Sequence, residues 1–424
     1  MHCTRLHRFW GALVILGLVS VVYTLSPVHT SGDTKFTIPF AWSIVAYGDT
    51  DLNRYQALYD PGEDYRLKTV RGQVKSFFPE GPMFLAVPVA LALKVAGVSE
   101  AQVLRNRKPI EKVAASLVMS VFAAIMFLVA SRLLSLPYAL LVALLAAFCT
   151  PAWSTASRAM WQHGPSMVML AATLWILLRA RENPPSIQYA GFTLALAYVM
   201  RPTNAISVVL LSLYVLLCHH RFSLKYFLWA GTVAVPWGLW NLWTYDALLP
   251  PYFAMQRLNL LPEPQALLGN LFSPARGLLV FSPVFLFSLY GVWLKLREAH
   301  SDMLDLFLVG IIVAHWLVIS TFGHWWAGHS FGPRFFSDMT PYFVYFLIPV
   351  VKRSTELQGF WKVVISTFFL LSIAVSFFVH CRGATSWEVC CWNLRPVDVD
   401  TNPQRLWDWS DLSFLRGVLG KRIP

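Results

Sequence analysis

Charged side chains are scarce in this chain. Only 13% of the 424 residues are Asp, Glu, Lys or Arg, whereas hydrophobic residues make up 56%. A soluble globular protein carries about 25% charged residues. Several apolar runs reach the roughly 17–25 residues that a bilayer crossing requires. The composition therefore excludes an ordinary soluble protein and predicts an all-α polytopic membrane protein.

Nucleotide-binding and nucleophile motifs are also missing. The sequence has no Walker motif, no G-x-G-x-x-G after a strand and no G-x-S-x-G elbow. Nucleotide hydrolysis and a Rossmann-type nucleotide-sugar site are therefore not expected. The six cysteines follow no metal-binding spacing. A bridge from Cys381 to Cys390 or Cys391 is the disulfide that the tail could form.

The net charge of +12 does not indicate a nucleic-acid partner. Lys and Arg lie in short loops between apolar runs, which is the distribution that the positive-inside rule describes. The first apolar run, Phe9–Val28, follows a basic segment and lacks a small-x-small cleavage site. We therefore expect a retained span with a cytoplasmic N-terminus.

The loop charges predict about 11 transmembrane helices, provided that Pro82–Val98 lies along the outer interface. In this arrangement Ile187–Leu217 is a hairpin with Arg201 at its outer tip. We predict a transmembrane catalytic domain over residues 1–380, with a long first extracytoplasmic loop (29–112) that contains interfacial helices. A short extracytoplasmic C-terminal tail (381–424) follows. The unusual polar loops all fall on the outer side.

The first outer loop contains an acidic turn, Gly48–Tyr55, in which Asp49 and Asp51 flank Thr50. One carboxylate can cap the following helix while the other faces a pocket. Glycosyl transfer needs such a group to accept the proton of the acceptor hydroxyl. The alternative is a solvated turn with an ordinary helix cap.

Two basic side chains stand beside apolar segments. A guanidinium such as that of Arg201 is the best phosphate ligand among side chains, although snorkelling to the headgroups is the alternative. His163 begins a span, where it could bind a sugar or phosphate, transfer a proton or cap the helix.

Two further loops carry candidate binding residues. Arg276 lies in a Pro- and Gly-bounded loop, where phosphate binding and interface anchoring are both consistent with the sequence. The loop 324–334 contains Trp325, His329 and Arg334, and Trp rings stack on sugars while Arg pairs with phosphate. An aromatic belt would explain Trp325 as well. The spacing of His324 and His329 is too weak a pattern to assign metal ligands, so a divalent metal is left open.

Together these motifs resemble the GT-C superfamily of membrane glycosyltransferases that use polyprenyl-phosphate sugars. The order of elements is similar to the branch of protein O-mannosyltransferases and the lipid A aminoarabinose transferase. The segments that carry the resemblance are Asp49–Asn53, Phe77–Pro82, Trp161–Pro165, Arg201–Asn204, Pro274–Gly277 and Trp325–Arg334.

The resemblance implies a GT-C type fold in which a first-loop Asp is catalytic. This role maps to Asp51, with Asp49 second, and the lipid-phosphate contact maps to Arg201. The chain departs from the family pattern at Asn53, where a second acid might fall, and at His163, where some relatives have a carboxylate. Both departures leave metal use open. The family's large soluble C-terminal domain has no counterpart in residues 382–424.

The function expected from these observations is glycosyl transfer in a bacterial inner membrane. A hexosyl or pentosyl group would move from a polyprenyl-phosphate donor to a hydroxyl of a lipid, glycan or protein acceptor at the extracytoplasmic face. The Asp would act as base and the Arg residues would hold the phosphate. The competing prediction is a non-enzymatic lipid or solute transporter, which would place polar groups near the bilayer midplane.

Overall fold

The computed structural model describes residues 5–29, 31–60, 62, 64–254, 258–297 and 302–418. Most of these residues are helical, as predicted. The helices are α1 (Arg5–Leu25), α2 (Thr37–Tyr47), α3 (Gly81–Phe84), α4 (Val87–Val95), α5 (Glu100–Arg105), α6 (Arg107–Ala130), α7 (Leu136–Phe148), α8 (Pro151–Ser154), α9 (His163–Ala180), α10 (Ala190–Met200), α11 (Ala205–Cys218), α12 (Ser223–Tyr245), α13 (Pro264–Phe272), α14 (Leu278–Phe281), α15 (Phe285–Leu296), α16 (Met303–Ile319), α17 (Thr340–Glu356), α18 (Gly359–Thr385) and α19 (Trp387–Cys391). Two strands, β1 (Leu67–Val70) and β2 (Gln73–Ser76), pair antiparallel.

Among the described residues, three helices are long and apolar enough to cross a membrane: α1, α6 and α18. Two bent pairs, α7 with 151–158 and 202–218 with 220–245, raise that number to five if each pair is one span. Shorter apolar helices include α2, α15 and α16. The chain is therefore a helical membrane protein, while helix length does not confirm the predicted count of about eleven spans.

Helix α6 lies at the centre of the bundle and packs against α1, α7 and α9. Small side chains allow these helices to approach closely, because they leave room for neighbouring backbones. The buried alanines of α6 and α7 include Ala123, Ala130, Ala143 and Ala146. Helix α9 packs against α10 and α17 in turn, which carries the packed core to the C-terminal half.

The predicted hairpin at Arg201 is present. Helix α10 ends at Met200 and α11 begins at Ala205. The residues that flank the other ends, 184–189 and 220–222, contact each other. Arg201 therefore lies at one end of the pair, as predicted, but it is buried (4% exposed) and does not extend toward headgroups.

The first loop departs from an all-α fold by one β-hairpin. Its turn is formed by Arg71 (φ 50°) and Gly72 (φ 78°), two successive residues with positive φ. This conformation is that of a type I′ turn, whose twist matches that of the paired strands. The predicted interfacial segment Pro82–Val98 contributes α3 and α4, and α4 packs against α2.

The C-terminal tail folds back onto the protein. Trp392 is fully buried in a cluster with Trp325 and Trp326, which belong to the loop 324–334. The tail is thus a cap on this loop. Cys381, Cys390 and Cys391 are free thiols, so the expectation of a disulfide in the tail is wrong. Cys3 lies outside the described residues.

Candidate functional site

The predicted site residues fall into three groups. His163, Arg201 and Arg334 converge from three separate parts of the chain and form the first group. Arg276, Trp325 and His329 lie together under the C-terminal tail. Asp49 and Asp51 stay within the first loop.

Helix ends position the first group. His163 is the first residue of α9, and Arg201 is the single residue between α10 and the turn before α11. Arg334 begins the 3₁₀ segment Arg334–Met339 that leads into α17. These termini carry backbone groups that no helix satisfies, so polar side chains collect there.

Arg201 is held by a buried counter-charge, Asp338, which the sequence analysis did not identify. Its Nη1 lies 2.9 Å from Oδ2 of Asp338, and its Nε donates to the Thr203 hydroxyl at 2.7 Å. The guanidinium also contacts the His163 ring, whose Nδ1 is 3.5 Å from Oδ1 of Asp338. A charge buried in an apolar environment requires a partner of opposite charge. Asp338 supplies that partner and allows the Arg201 guanidinium to be buried.

Arg334 joins this buried group to the first loop. Its Nε donates to Nε2 of His163 at 3.1 Å, and its Nη2 donates to Oδ2 of Asp33 at 2.6 Å. The guanidinium also lies over the Trp161 ring, 4.4 Å from its centroid. An arginine N–H can only donate, so Nε2 of His163 accepts the hydrogen bond from Arg334.

Asp33 is the second carboxylate that sequence analysis missed. Its Oδ1 accepts a hydrogen bond from the Tyr65 hydroxyl at 3.0 Å. Burial acts to raise the pKa of Asp33, but the charge and hydrogen bond of Arg334, together with the bond from Tyr65, outweigh burial and lower this pKa. Asp33 is therefore ionised at neutral pH in this arrangement.

A small cavity of about 20 Å³ adjoins this group. That volume holds one or two water molecules and is too small for a sugar. The cavity is lined by Asp33, Thr34, Thr37, Phe78, Pro79, Pro82, Met83, Met160, Trp161, Gln162 and Arg334. Buried Glu111 fixes one wall by accepting the Met160 amide N–H at 2.9 Å.

A larger open groove of about 630 Å³ lies on the other side of Tyr65. Its lining is polar and carries both signs of charge, including Lys35, Asp64 and Arg66. Arg66 donates to the Gly32 carbonyl at 3.0 Å, next to Asp33. Asp33 lines the small cavity, and its partner Tyr65 lines the groove.

Arg276, in the second group, is wholly occupied by the protein. Its Nε donates to the Trp326 carbonyl at 2.9 Å, and its Nη2 donates to the Gly328 carbonyl at 2.9 Å and to Oδ1 of Asn393 at 2.7 Å. Nη1 donates to the carbonyl of Ala275 at 2.9 Å. These contacts hold the loop 324–334 and the tail together, so a phosphate would have to displace them.

The side chains of Trp325 and His329 also contact other residues of the protein and line neither the small cavity nor the open groove. Trp325 is 3% exposed and fills the space above Gly269, where an added Cβ would lie 2.2 Å from its ring. Nε2 of His329 lies 2.8 Å from Oδ1 of Asp398 in the tail. Neither side chain is placed with Arg201 and Arg334.

Asp49 and Asp51 organise the first loop. Asp49 forms a two-point ion pair with Arg54, with both contacts at 2.8 Å, and this hydrogen-bonded pair lowers the pKa of Asp49 to about 2. Oδ1 of Asp51 accepts the amide N–H groups of Asn53 and Val74, each at 3.0 Å. The 3₁₀ segment Asn53–Leu58 that follows has Leu52 as its N-cap and no side-chain cap, so the predicted helix cap is not present. Neither Asp49 nor Asp51 lines the cavity that contains Asp33 and Arg334.

The two missed carboxylates gave different signals in the sequence. Asp338 precedes the apolar run of α17, and an acidic residue beside a span indicates a buried partner or a function. Asp33 lies in Ser31–Thr34, a polar stretch typical of any loop. Only its proximity to Arg334, 301 residues away in sequence, distinguishes it.

Comparison with known proteins gives a fold likeness alone. No protein-family model matches the sequence, and no curated protein matches it. The Archaeoglobus fulgidus oligosaccharyltransferase in the apo form matches with a TM-score of 0.57 at 10% sequence identity. The Archaeoglobus fulgidus oligosaccharyltransferase AglB, solved with an inhibitory peptide and a dolichol-phosphate, matches with the same TM-score and identity.

In each case the match covers 96% of this chain and 60% of the archaeal chain, so the protein spans about three fifths of the length of these relatives. The likeness does not distinguish the mannosyl- and aminoarabinosyl-transferase branches that the sequence suggested. The chain therefore shares its fold with the archaeal oligosaccharyltransferase.

Proposed function

We propose that this protein is a membrane glycosyltransferase that moves a sugar from a lipid-phosphate donor to an acceptor hydroxyl on the extracytoplasmic side. One observation carries the proposal: Arg334 and Asp33 pair on the wall of the small cavity, Arg334 contacts the buried group at His163, and Asp33 bonds Tyr65 of the open polar groove. A phosphate ligand and a proton acceptor are the two groups that such a transfer requires.

Arg334 is the side chain best placed to contact the donor phosphate. It lines the cavity, while Arg201 lies behind it and shares the His163 ring with it. Arg201 is neutralised by Asp338, so its contribution is to support His163 and Arg334. A guanidinium that meets the departing phosphate stabilises the charge that develops on the leaving group.

Asp33 is the proton acceptor that the geometry favours. An incoming phosphate competes with Asp33 for Arg334, and loss of that ion pair raises the pKa of this partly buried carboxylate. A carboxylate with a raised pKa accepts the proton of an attacking hydroxyl more readily. Tyr65, which bonds to Asp33, also lines the groove from which an acceptor could approach.

Asp51 is the base that the family resemblance implies, and Asp49 is the second choice. Both carboxylates already accept hydrogen bonds within their own loop. To act as a base, Asp49 or Asp51 would have to break these hydrogen bonds. Asp33 would only have to give up its contact with Arg334, which an incoming phosphate can replace. The cavity must also widen, and movement of the Phe78–Met83 wall away from Trp161 would widen it.

The test is an assay of membranes for transfer from a radiolabelled polyprenyl-phosphate sugar, with release of the lipid phosphate as readout. We expect Asp33→Asn to reduce the rate about 10²–10⁴-fold, the usual contribution of a general base. Arg334→Ala should also abolish release. Asp246→Asn is the matched control, because Asp246 is an exposed carboxylate that pairs with Arg71.

The outcomes distinguish the candidate bases from one another and the transferase from the transporter. Loss of activity in Asp51→Asn with full activity in Asp33→Asn would return the role of base to Asp51. Full activity in Asp33→Asn, Asp49→Asn and Asp51→Asn would remove the base from the mechanism. Movement of labelled lipid across vesicles without phosphate release would favour the transporter.

A further inference from the structure

A His and two carboxylates meet where the C-terminal tail covers the loop 324–334. His329 comes from the loop, and Asp398 and Asp400 come from the tail. One ligand atom from each of them lies within 4.8 Å of the others. The three residues play no part in the cavity beside Arg334.

The spacing of these atoms is near that of ligands around a divalent cation. Nε2 of His329 is 2.8 Å from Oδ1 of Asp398 and 3.5 Å from Oδ2 of Asp400. Ligands about 2.1 Å from one metal lie about 3.0–3.4 Å apart in octahedral or tetrahedral geometry. Small side-chain rotations would therefore place all three atoms around one ion.

Neighbouring groups already orient the ligands. The Trp326 indole N–H donates to Oδ1 of Asp400 at 2.7 Å, which turns Oδ2 of that carboxylate toward His329. Gly328 has a φ of 61°, and an added Cβ at this position would lie 3.7 Å from Oδ2 of Asp400. Carboxylate ligands of metals usually accept such a hydrogen bond from a neighbouring group, here the Trp326 indole.

The charges favour a cation as well. Two carboxylates that face one imidazole hold more negative charge than one protonated ring can balance. The side chains of His329 and Asp398 are 40% and 37% exposed, so an ion can reach them from water.

We propose that His329, Asp398 and Asp400 bind one divalent cation that fastens the C-terminal tail to the loop 324–334. A set of one imidazole and two carboxylates suits Mn²⁺ or Zn²⁺, because imidazole favours the later transition metals while carboxylates favour harder ions. The open positions on the ion face solvent. The site is separate from the transfer reaction and does not depend on it.

The test is direct binding of Mn²⁺ or Zn²⁺ to the full chain in detergent, by calorimetry and, for Mn²⁺, by electron paramagnetic resonance. We expect one ion per chain. His329→Ala, Asp398→Asn and Asp400→Asn should each weaken binding by more than about tenfold. Asp408→Asn is the matched control, because Asp408 is a tail carboxylate that bonds to Ser410 instead.

A second readout guards against variants that fold badly. The metal should raise the thermal midpoint of the wild type and of Asp408→Asn, and leave that of His329→Ala unchanged, while all three have similar midpoints in chelator. Absence of binding by the wild type, or equal binding by all variants, would overturn the proposal. Equal stabilisation of His329→Ala by the metal would overturn it too.

Discussion

A buried guanidinium such as that of Arg201 is stable only while its counter-charge is present. Asp338 supplies that charge at 2.9 Å, and both side chains are almost fully buried. Removal of one partner leaves an uncompensated ion in an apolar environment, whereas removal of both leaves none. The pair therefore behaves as a unit at the scale of single residues.

We accordingly expect Arg201→Met to destabilise the protein by about 3–5 kcal/mol, because Asp338 is then buried alone. The double variant Arg201→Met with Asp338→Asn should recover most of that loss. Thermal unfolding in detergent, followed by circular dichroism, measures both. A double variant as unstable as the single one would show that Asp338 is not the main counter-charge.

The same residues show how much of the candidate site the sequence can predict. The sequence predicts Arg201 and His163 from their positions at the edges of apolar runs and Arg334 from the loop 324–334, and the structure brings the three together. Whether a predicted residue is free to bind a ligand depends on its burial and on its neighbours in the folded protein. Arg276 and Trp325 have the residue types of a binding site, but their partners, Asn393 and the buried cluster around Trp392, come from a tail whose folding no local pattern predicts.

At the scale of elements, α10 and α12 pack closely against each other. Gly191 of α10 lies against the backbone of α12, and a Cβ there would be 2.1 Å from the Tyr226 carbonyl oxygen. Gly231 of α12 faces open space, with nothing within 4 Å of an added Cβ. The two glycines therefore form a matched pair.

Gly191→Ala should force the two helices apart and cost about 1–3 kcal/mol, the usual penalty for overpacking. Gly231→Ala should be neutral or slightly stabilising, since alanine favours a helix over glycine. The difference between their thermal midpoints in detergent measures the effect. Equal midpoints would mean that α10 and α12 have freedom to separate without cost.

The first loop contains an element that the sequence does not predict. The long outer loop and its helical segments were expected, but the hairpin β1–β2 was not. Its strands alternate little and its turn is Arg71–Gly72, which lacks the Asn-Gly or Asp-Gly pair that usually marks a type I′ turn. Tertiary contacts contribute to it, since Asp51 accepts the amide N–H of Val74.

At the scale of the whole molecule, polar groups gather at two opposite ends. Helix α9 has His163 at one end, and Arg181, which pairs with Asp302, just beyond the other. Its 18 residues span about 27 Å, close to the thickness of the bilayer core. Helix α16 runs in the reverse direction, from Met303 to Ile319.

This arrangement predicts the side from which each end can be labelled. In a background free of native cysteines, Glu182→Cys should react with an impermeant maleimide only after the cytoplasmic side is exposed. Leu260→Cys should react in intact cells, because Leu260 is fully exposed beside the outer end of α16. Labelling of both positions from one side would contradict the topology.

The bond between Arg276 and Asn393 has a consequence for biosynthesis. The two residues are 117 positions apart, so the ribosome makes the loop well before the side chain that completes it. At about 5–20 residues per second, that interval lasts roughly 6–23 s. During this time the nascent chain holds a guanidinium that lacks its last acceptor, so the loop 324–334 is completed only after the tail has been made.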